Sequence, residues 1–578
     1  MARTARGASR EASAALHPRA LAPDNLILTL LLSVFGAVVG IQVLTSLGIT
    51  PSTSLIGALV AMTLARIPLV IFRGFRSVHA QNLAQTSISS ATFGAANSLI
   101  LPIGIPYLFG LPNMVLPMLI GVSCALLLDA YMLYRMYGTP AFPADDPWPL
   151  GVAAAEAIRA GDQGGRRAAV LGGGVALGVL GAVFALPMSG FGIALIAGLA
   201  SMIAFAVGLL VRQYTGPVTG WDLAADYVPH GVMIGAGVVA LIQVAWIVVR
   251  GYRKARTEKA TSADIAIPET ASEISDPASA SADVTDPPQV TEPAAPVRDA
   301  ADRAPGDGAR RLGKSLRIGA LGYGVVTLLL AIGTGLVSQM SIPMLIGFIV
   351  FATITAFVHE IIVGIAAMRA GYFPAFAVAL ITLLIGILIG FPPAALVVLA
   401  GFNAATGPAF ADMGYDLKAG YMLRGSGSDP QFEREGRKQQ MIAGMLGFAV
   451  AIVVVAVTYQ TLFANGRFAP INTAYVAAIK AGISSETAIK LLIWAVPGAI
   501  LQLLGGARRQ LGILLATGLL LATPWLGWMV LAGIVVRLVV KRILGAKAAK
   551  ENLEILGGGV IAGDALYSFV SGLIKVGR

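Results

Sequence analysis

Few residues in this chain can carry chemistry, and most of those lie in apolar surroundings. His359 and Glu360 are neighbours well inside the apolar run 342–368. An ionisable group at membrane depth is costly unless it is paired or wet, so it marks a candidate functional site. Glu and His are also the usual proton carriers of membrane proteins. Neighbours on a helix point about 100° apart, so the two cannot both face one narrow cavity squarely. We expect Glu360 to couple protons, with His359 beside it and Asp412 next in line. Asp129, close to Arg135 at the end of its run, reads instead as an interfacial residue, and Arg66 as a side chain that snorkels. Asp564 divides evenly between a structural and a functional reading.

Two polar interruptions stand out. The first holds Asn82, Gln85, Thr86, Ser89 and Ser90, followed by Pro102 and Pro106. The second is Gly401-Phe402-Asn403-Ala404-Ala405-Thr406-Gly407-Pro408, followed by Asp412, Asp416 and Lys418. Amides and hydroxyls are costly facing lipid, so they must face protein or water, and irregular backbone at membrane depth lines a cavity or lies inside protein. A broken helix also offers free amides and carbonyls to a polar solute. We therefore place a substrate site between Asn82, Gln85, Thr86, Ser89 and Ser90 on one side and Asn403 and Thr406 on the other. For Asp416 and Lys418 a surface ion pair at a helix end weighs equally with a gate.

Enzyme chemistry is hard to find. There is no phosphate-binding loop, no strand-placed dinucleotide fingerprint and no HExxH. With 4 histidines and 1 cysteine, neither a metal site nor an intramolecular disulfide is expected, and no cofactor is implied. Cys124 reads as a small packing residue in its apolar run. Gly172–Gly174 and Gly557–Gly559 lie in apolar segments and serve close packing better than phosphate binding.

The elements that position these groups follow from composition. Of 578 residues, 56% are hydrophobic and 12% charged, and mean hydropathy is +0.79. That much apolar surface must face lipid or other lipid-facing helices. The net charge of +11 sits in short clusters between apolar runs, the pattern of cytoplasmic loops, with no basic-aromatic stripe for nucleic acid. Arg3, Arg6, Arg10 and Arg19 precede a first run, 26–47, that is long enough to span and lacks a nearby cleavage site. The expectation is a multi-pass protein of the cell membrane, inner or plasma, with the bilayer as its partner.

One composition break divides the chain. Between 251 and 315 the apolar runs stop, and ten acids fall between Asp264 and Asp307. Such a stretch buries too little to offset the entropy of ordering. We expect a cytoplasmic tail over 1–24, transmembrane halves over 25–250 and 316–578, and a disordered cytoplasmic linker over 251–315. Its ends carry Arg253 and Lys254, then Arg310 and Arg311. Seven crossings before the linker would leave it outside, so one further crossing is expected, within 142–160, 213–230 or a broken pair in 82–109. The fold class is all-α, a polytopic transmembrane helix bundle of about 14–16 helices in two repeat-like halves with broken or re-entrant segments.

Several motifs point to a family. Gln81-Asn82-Leu83-Ala84-Gln85-Thr86 through Leu108-Phe109-Gly110 resembles the Asn-Asn-Leu-Val-Gln-Thr segment and Pro-containing helix of the oligopeptide transporter superfamily. Phe142-Pro143, then Ala153 to Gly161, is similar to its Phe-Pro and Ala-Glu-Val-Leu-Lys-Ala-Gly segment. Asp416-Leu417-Lys418-Ala419-Gly420-Tyr421 matches its Asp-Leu-Lys-Thr-Gly-Tyr signature, and Gly558–Leu566 its closing motif. Gln81 replaces an acid common in relatives, and the Ser-Ser-Asn-Pro motif is not evident; the segment His359–Phe376 occupies that region. The resemblance, to the bacterial and yellow-stripe-like type, covers nearly the whole chain. It implies proton-driven symport of short peptides or of metal-chelate, siderophore-like complexes, and is compatible with a homodimer. A channel or facilitator is the second reading, and a membrane-embedded enzyme the third.

Overall fold

The computed structural model describes residues 17–47, 57–58, 76–240, 242–243, 246, 249–250, 307–371, 375–482, 485–521, 523 and 525–576. Residues 1–16 of the expected tail and most of the linker, 251–306, lie outside them, as does Arg66. Among the described residues all regular structure is helical, and Tyr137 and Phe142 form one isolated bridge.

The first half contributes α1 (Pro23–Leu47), then α2 (Val78–Phe93) running through a π-helical turn (Gly94–Ile100) into α3 (Leu101–Phe109). It continues with α4 (Val115–Met136), α5 (Pro149–Gln163), α6 (Gly165–Val183), α7 (Met188–Ile196) and α8 (Leu199–Thr219). The second half contributes α9 (Asp307–Gly333), α10 (Ile342–Ala370), α11 (Ala375–Ile389), α12 (Pro393–Ala405) and α13 (Pro408–Leu423). It closes with α14 (Pro430–Ala464), α15 (Ile471–Ala481), α16 (Ser485–Arg509), α17 (Leu511–Leu520), α18 (Leu526–Leu544) and α19 (Ala546–Val576). Helix α9 begins inside the stretch read as linker, because Leu312 buries its side chain and the apolar period starts there.

Ten helical segments among the described residues are long and apolar enough to cross a bilayer. The bundle is apolar on its outside, with Ile27, Leu31, Leu321, Ile342, Val457 and Leu504 all exposed. Cys124 is exposed as well, so it faces out of the bundle and not into its packing. Two segments differ from the other eight. In Val78–Phe109 and Pro393–Leu423, 94% of an 18-residue apolar stretch is buried, against 22–61% in the others. These are the two interruptions singled out in the sequence. They lie antiparallel in contact: Ser89 bonds Asp412, and Gly401 packs against the Pro102 carbonyl.

The two are interrupted differently. Val78–Phe109 is one continuous helical run and not a broken pair, with Pro106 accommodated inside α3. A π turn adds a residue to a helical turn and re-aims the side chains that follow. Pro393–Leu423 is cut outright. Pro408 cannot donate to the preceding turn, and Gly407 takes φ +91°, which a side chain would resist.

The apolar stretch 190–211 is split at Ala197–Gly198. Gly190 in α7 and Leu209 and Leu210 in α8 pack on the first turn of α18, whereas Arg537 midway along α18 donates to the Ala194 and Ala197 carbonyls. The pair α7–α8 is therefore a hairpin that returns toward the side it came from. A second hairpin, α16–α17, turns at Gly506 and Gln510, both at positive φ, and the Ser201 hydroxyl donates to the Arg509 carbonyl at 3.0 Å, tying the two tips together.

Candidate functional site

Among the described residues, most of the polar side chains singled out in the sequence gather in two clusters inside the bundle. The first lies where α2, α13 and α14 meet. Asn82 donates to Gln85 at 3.0 Å, Gln85 donates to Asp416, and Ser89 donates to Asp412 at 2.6 Å. Gln85 and Ser89 are one helical turn apart, as are Asp412 and Asp416, so two antiparallel helices meet as a ladder with two rungs. On the other flank Gln440 of α14 donates to Thr86 at 3.1 Å and to the Asp416 carbonyl. Ser90 is also fully buried and packs toward Gly444.

The second cluster lies at the break between α12 and α13. Asp129 of α4 is fully buried, and so is not interfacial as its neighbour Arg135 suggested. Its carboxylate accepts the Gly407 amide at 2.9 and 3.0 Å, the Phe410 amide at 2.9 Å and the Tyr323 hydroxyl at 3.1 Å. It caps the free amides with which α13 begins, where the helix dipole favours a negative charge. Glu360 is fully buried beside Tyr323 and Asp129. His359 turns away from it, as neighbouring helix positions require: Nε2 donates to the Ala375 carbonyl at 2.6 Å, and Nδ1 faces the Thr406 hydroxyl at 3.3 Å. Asn403 donates to Thr355 at 3.2 Å and to the Leu399 carbonyl, and its Oδ1 is buried with no hydrogen-bond partner.

The residues grouped from sequence into one substrate site thus divide. Asn82, Gln85, Thr86, Ser89 and Ser90 line the first cluster together with Asp412 and Asp416. Asn403 and Thr406 belong to the second, with His359 and Glu360. The break in α12–α13 joins the two.

At one end of the molecule charged pairs close over the first cluster. Arg424 forms a two-pronged pair with Glu433 at 2.7 and 2.9 Å, both fully buried, and donates to Gln440 at 3.1 Å. Lys418 donates to the Ala144 carbonyl at 2.9 Å, Arg369 pairs with Asp146 at 2.8 Å, and Arg159 reaches Glu156 and the Met422 carbonyl. Lys418 is therefore not paired with Asp416. The residues before α1 lie across this end, with the Ala20 amide on Gln439 at 2.9 Å and His17 ringed by His79 and Phe432. The start of α9 lies there too, since Arg311 and Arg437 both donate to the Tyr137 carbonyl. Sequence reasoning missed Arg424, Glu433, Gln440 and Tyr323. An Arg and a Glu nine positions apart in a polar loop look like solvated charges, and only the fold buries them.

Burial, aided by the positive field of Arg424, holds the His17 imidazole down to about 4, with the Pro18 carbonyl opposing. A histidine lowered in the folded state favours the docked strap when neutral. That contribution is complete above about pH 6.5 and is lost as pH falls toward 4. Hydrogen exchange of the Ala20 amide, corrected for its intrinsic rate, should therefore quicken between pH 7 and 5, and His17→Asn should remove that pH dependence.

A profile of the family described as OPT oligopeptide transporter protein matches residues 23–215 and 211–575, nearly the whole chain. The chain belongs to the OPT oligopeptide transporter family. This OPT transporter is a multi-pass membrane protein of a family of carriers and not of enzymes. No curated protein sequence matches it closely enough to serve as a relative.

Proposed function

We propose that this OPT protein is a proton-coupled symporter of short oligopeptides or of metal-chelate complexes. The observation that supports it best is the pair of deeply buried, interrupted spans, one from each half, meeting side by side with amides, hydroxyls and carboxyls at their contact. Repeat-built transporters assemble their solute sites in this way, near the middle of the membrane where discontinuous helices meet. Neutral amides and hydroxyls suit a peptide backbone or the rim of a chelate, and the carboxyls suit an ammonium group; a bare divalent cation would need several carboxylates converging on one point. Glu360 and Asp129 supply carboxyls beside the break, where proton binding can act on helix position. Lys418, Arg424 and their partners close the cytoplasmic end in this conformation.

The deciding experiment is uptake into proteoliposomes of a short peptide library and of ferric and other metal chelates, with and without an imposed pH gradient. Accumulation that collapses with the gradient supports symport. Flux that ignores the gradient makes the protein a facilitator.

Two further outcomes are expected. Asn82→Ala and Asn403→Ala should each weaken apparent substrate affinity by about 1–3 kcal/mol, roughly five- to a hundred-fold, because each leaves a buried partner unsatisfied. Unchanged affinity in both would make these amides structural. The second outcome concerns sidedness. With Cys124 replaced by Ser, a cysteine at Ala280 should react with an impermeant reagent only from the cytoplasmic side; labelling from outside would overturn the assignment of the linker.

A further inference from the structure

We infer that Asp129, Tyr323 and Glu360 form a proton-operated latch on α13, in which the position of one proton decides whether the broken span is held or released. The inference rests on the symport reading for its purpose but not for its evidence, which is geometric. Among the described residues, Asp129 is the side chain that holds the cut end of α13, taking the Gly407 and Phe410 amides on one carboxylate. Three donors on one fully buried carboxyl are held strongly when it is ionised and weakly when it is neutral, because charge-assisted bonds have about twice the strength of neutral ones. The Tyr323 hydroxyl donates to this carboxylate at 3.1 Å, and Glu360 lies beside the same hydroxyl. Both oxygens of Glu360 are buried and lack a hydrogen bond meeting ordinary geometry.

Two carboxyls separated by one hydroxyl, away from water, compete for a single negative charge. With the proton on Glu360, the charge sits on Asp129 and the cap is tight. The reverse state follows by a two-bond relay once the Glu360 carboxyl turns onto the Tyr323 oxygen: the Glu360 carboxylic acid gives its proton to that oxygen as the Tyr323 hydroxyl gives its own to Asp129. Tyr323 ends unchanged, Glu360 ends ionised, and the neutral Asp129 grips the amides less well. A second proton entering the pair has the same effect on the cap. The other groups around the latch are accounted for: His359 is turned to Ala375 and Thr406, and Asp412, further along α13, is turned to Ser89. Movement of α13 pulls on the Ser89–Asp412 and Gln85–Asp416 rungs, so the latch connects proton occupancy to the polar ladder more than one helical turn away.

The test needs no substrate. In the purified full-length protein, hydrogen exchange of the amides in 407–411 is followed from pH 4.5 to 8 and corrected for intrinsic rates. In the wild type, protection should fall as pH is lowered. Asp129→Asn should raise exchange by roughly tenfold or more at pH 8 and leave it nearly independent of pH, since it removes the charge that holds the cap. Glu360→Gln removes the alternative seat for the charge, so the amides should stay protected over more of the range and the loss of protection should move to lower pH. Asp564→Asn, which removes a different buried cap, the one on the Ser189 amide, should leave 407–411 unaffected. A Glu360→Gln profile that superimposes on the wild type would show that Asp129 is a static cap, and overturns the latch even if Asp129→Asn fails to fold. If the latch responds to pH but uptake ignores the gradient, the symport reading fails and the latch stands.

Discussion

Glu360→Gln should abolish accumulation of substrate against a gradient while leaving exchange of substrate across the membrane. Glutamine keeps the volume and the polar tip of the side chain but cannot carry a proton at any accessible pH. A coupled carrier so changed can still rock between its two faces with substrate bound. It cannot draw on the proton gradient, so its steady state should fall to equal concentrations on both sides. Counterflow of labelled substrate measures the exchange, and net uptake under an acid-outside gradient measures the coupling. Retained accumulation would move the coupling site elsewhere, with Asp412 next to be tested.

The second large effect is expected at Arg424. Its guanidinium is fully buried, paired at two points with Glu433 and bonded to Gln440. Breaking a buried pair by removing one partner leaves an uncompensated charge, at a cost of about 3–5 kcal/mol. Arg424→Met should therefore lower thermal stability sharply and loosen the strap on which His17 sits. Removing both charges, as in Arg424→Met with Glu433→Leu, should restore much of the loss, because desolvation offsets most of what a buried pair contributes. Gly420 explains why the site is demanding: a side chain there would collide with Gln440, Arg424 and Asn82 at once. A single variant as stable as the wild type would show that water reaches the pair.

The sequence made some of this arrangement visible and hid the rest, for physical reasons. Long apolar runs, the linker's composition and the two polar interruptions are local signals, and the interruptions prove to be the two most buried spans. The opposed directions of His359 and Glu360 follow from helix geometry alone, and the structure shows them. Asp129 was misjudged because its significance depends on residues almost three hundred positions away, and proximity to Arg135 offered a simpler local account. The hairpin at Ala197 escaped notice because apolar content continues across the turn; hydropathy reports depth in the membrane but not reversal of direction. Whether Asn82 and Asn403 share one cavity is likewise a question of which way each helix is rotated, and neither lies on a helix amphipathic enough to answer it.

One feature of the packing bears on how the protein is made. Long helices of the first half find partners across the linker: α2 packs on α14, α4 on α9, α6 on α19 and α8 on α17. During synthesis, therefore, α2 enters the bilayer hundreds of residues before Asp412, Asp416 and Gln440 exist to satisfy Ser89, Gln85 and Thr86. Those side chains must wait against lipid, a membrane chaperone or the insertion machinery. The polar ladder that suits the finished carrier for a hydrophilic solute makes its first half a poor membrane protein by itself. The long acidic stretch between the halves adds to that interval.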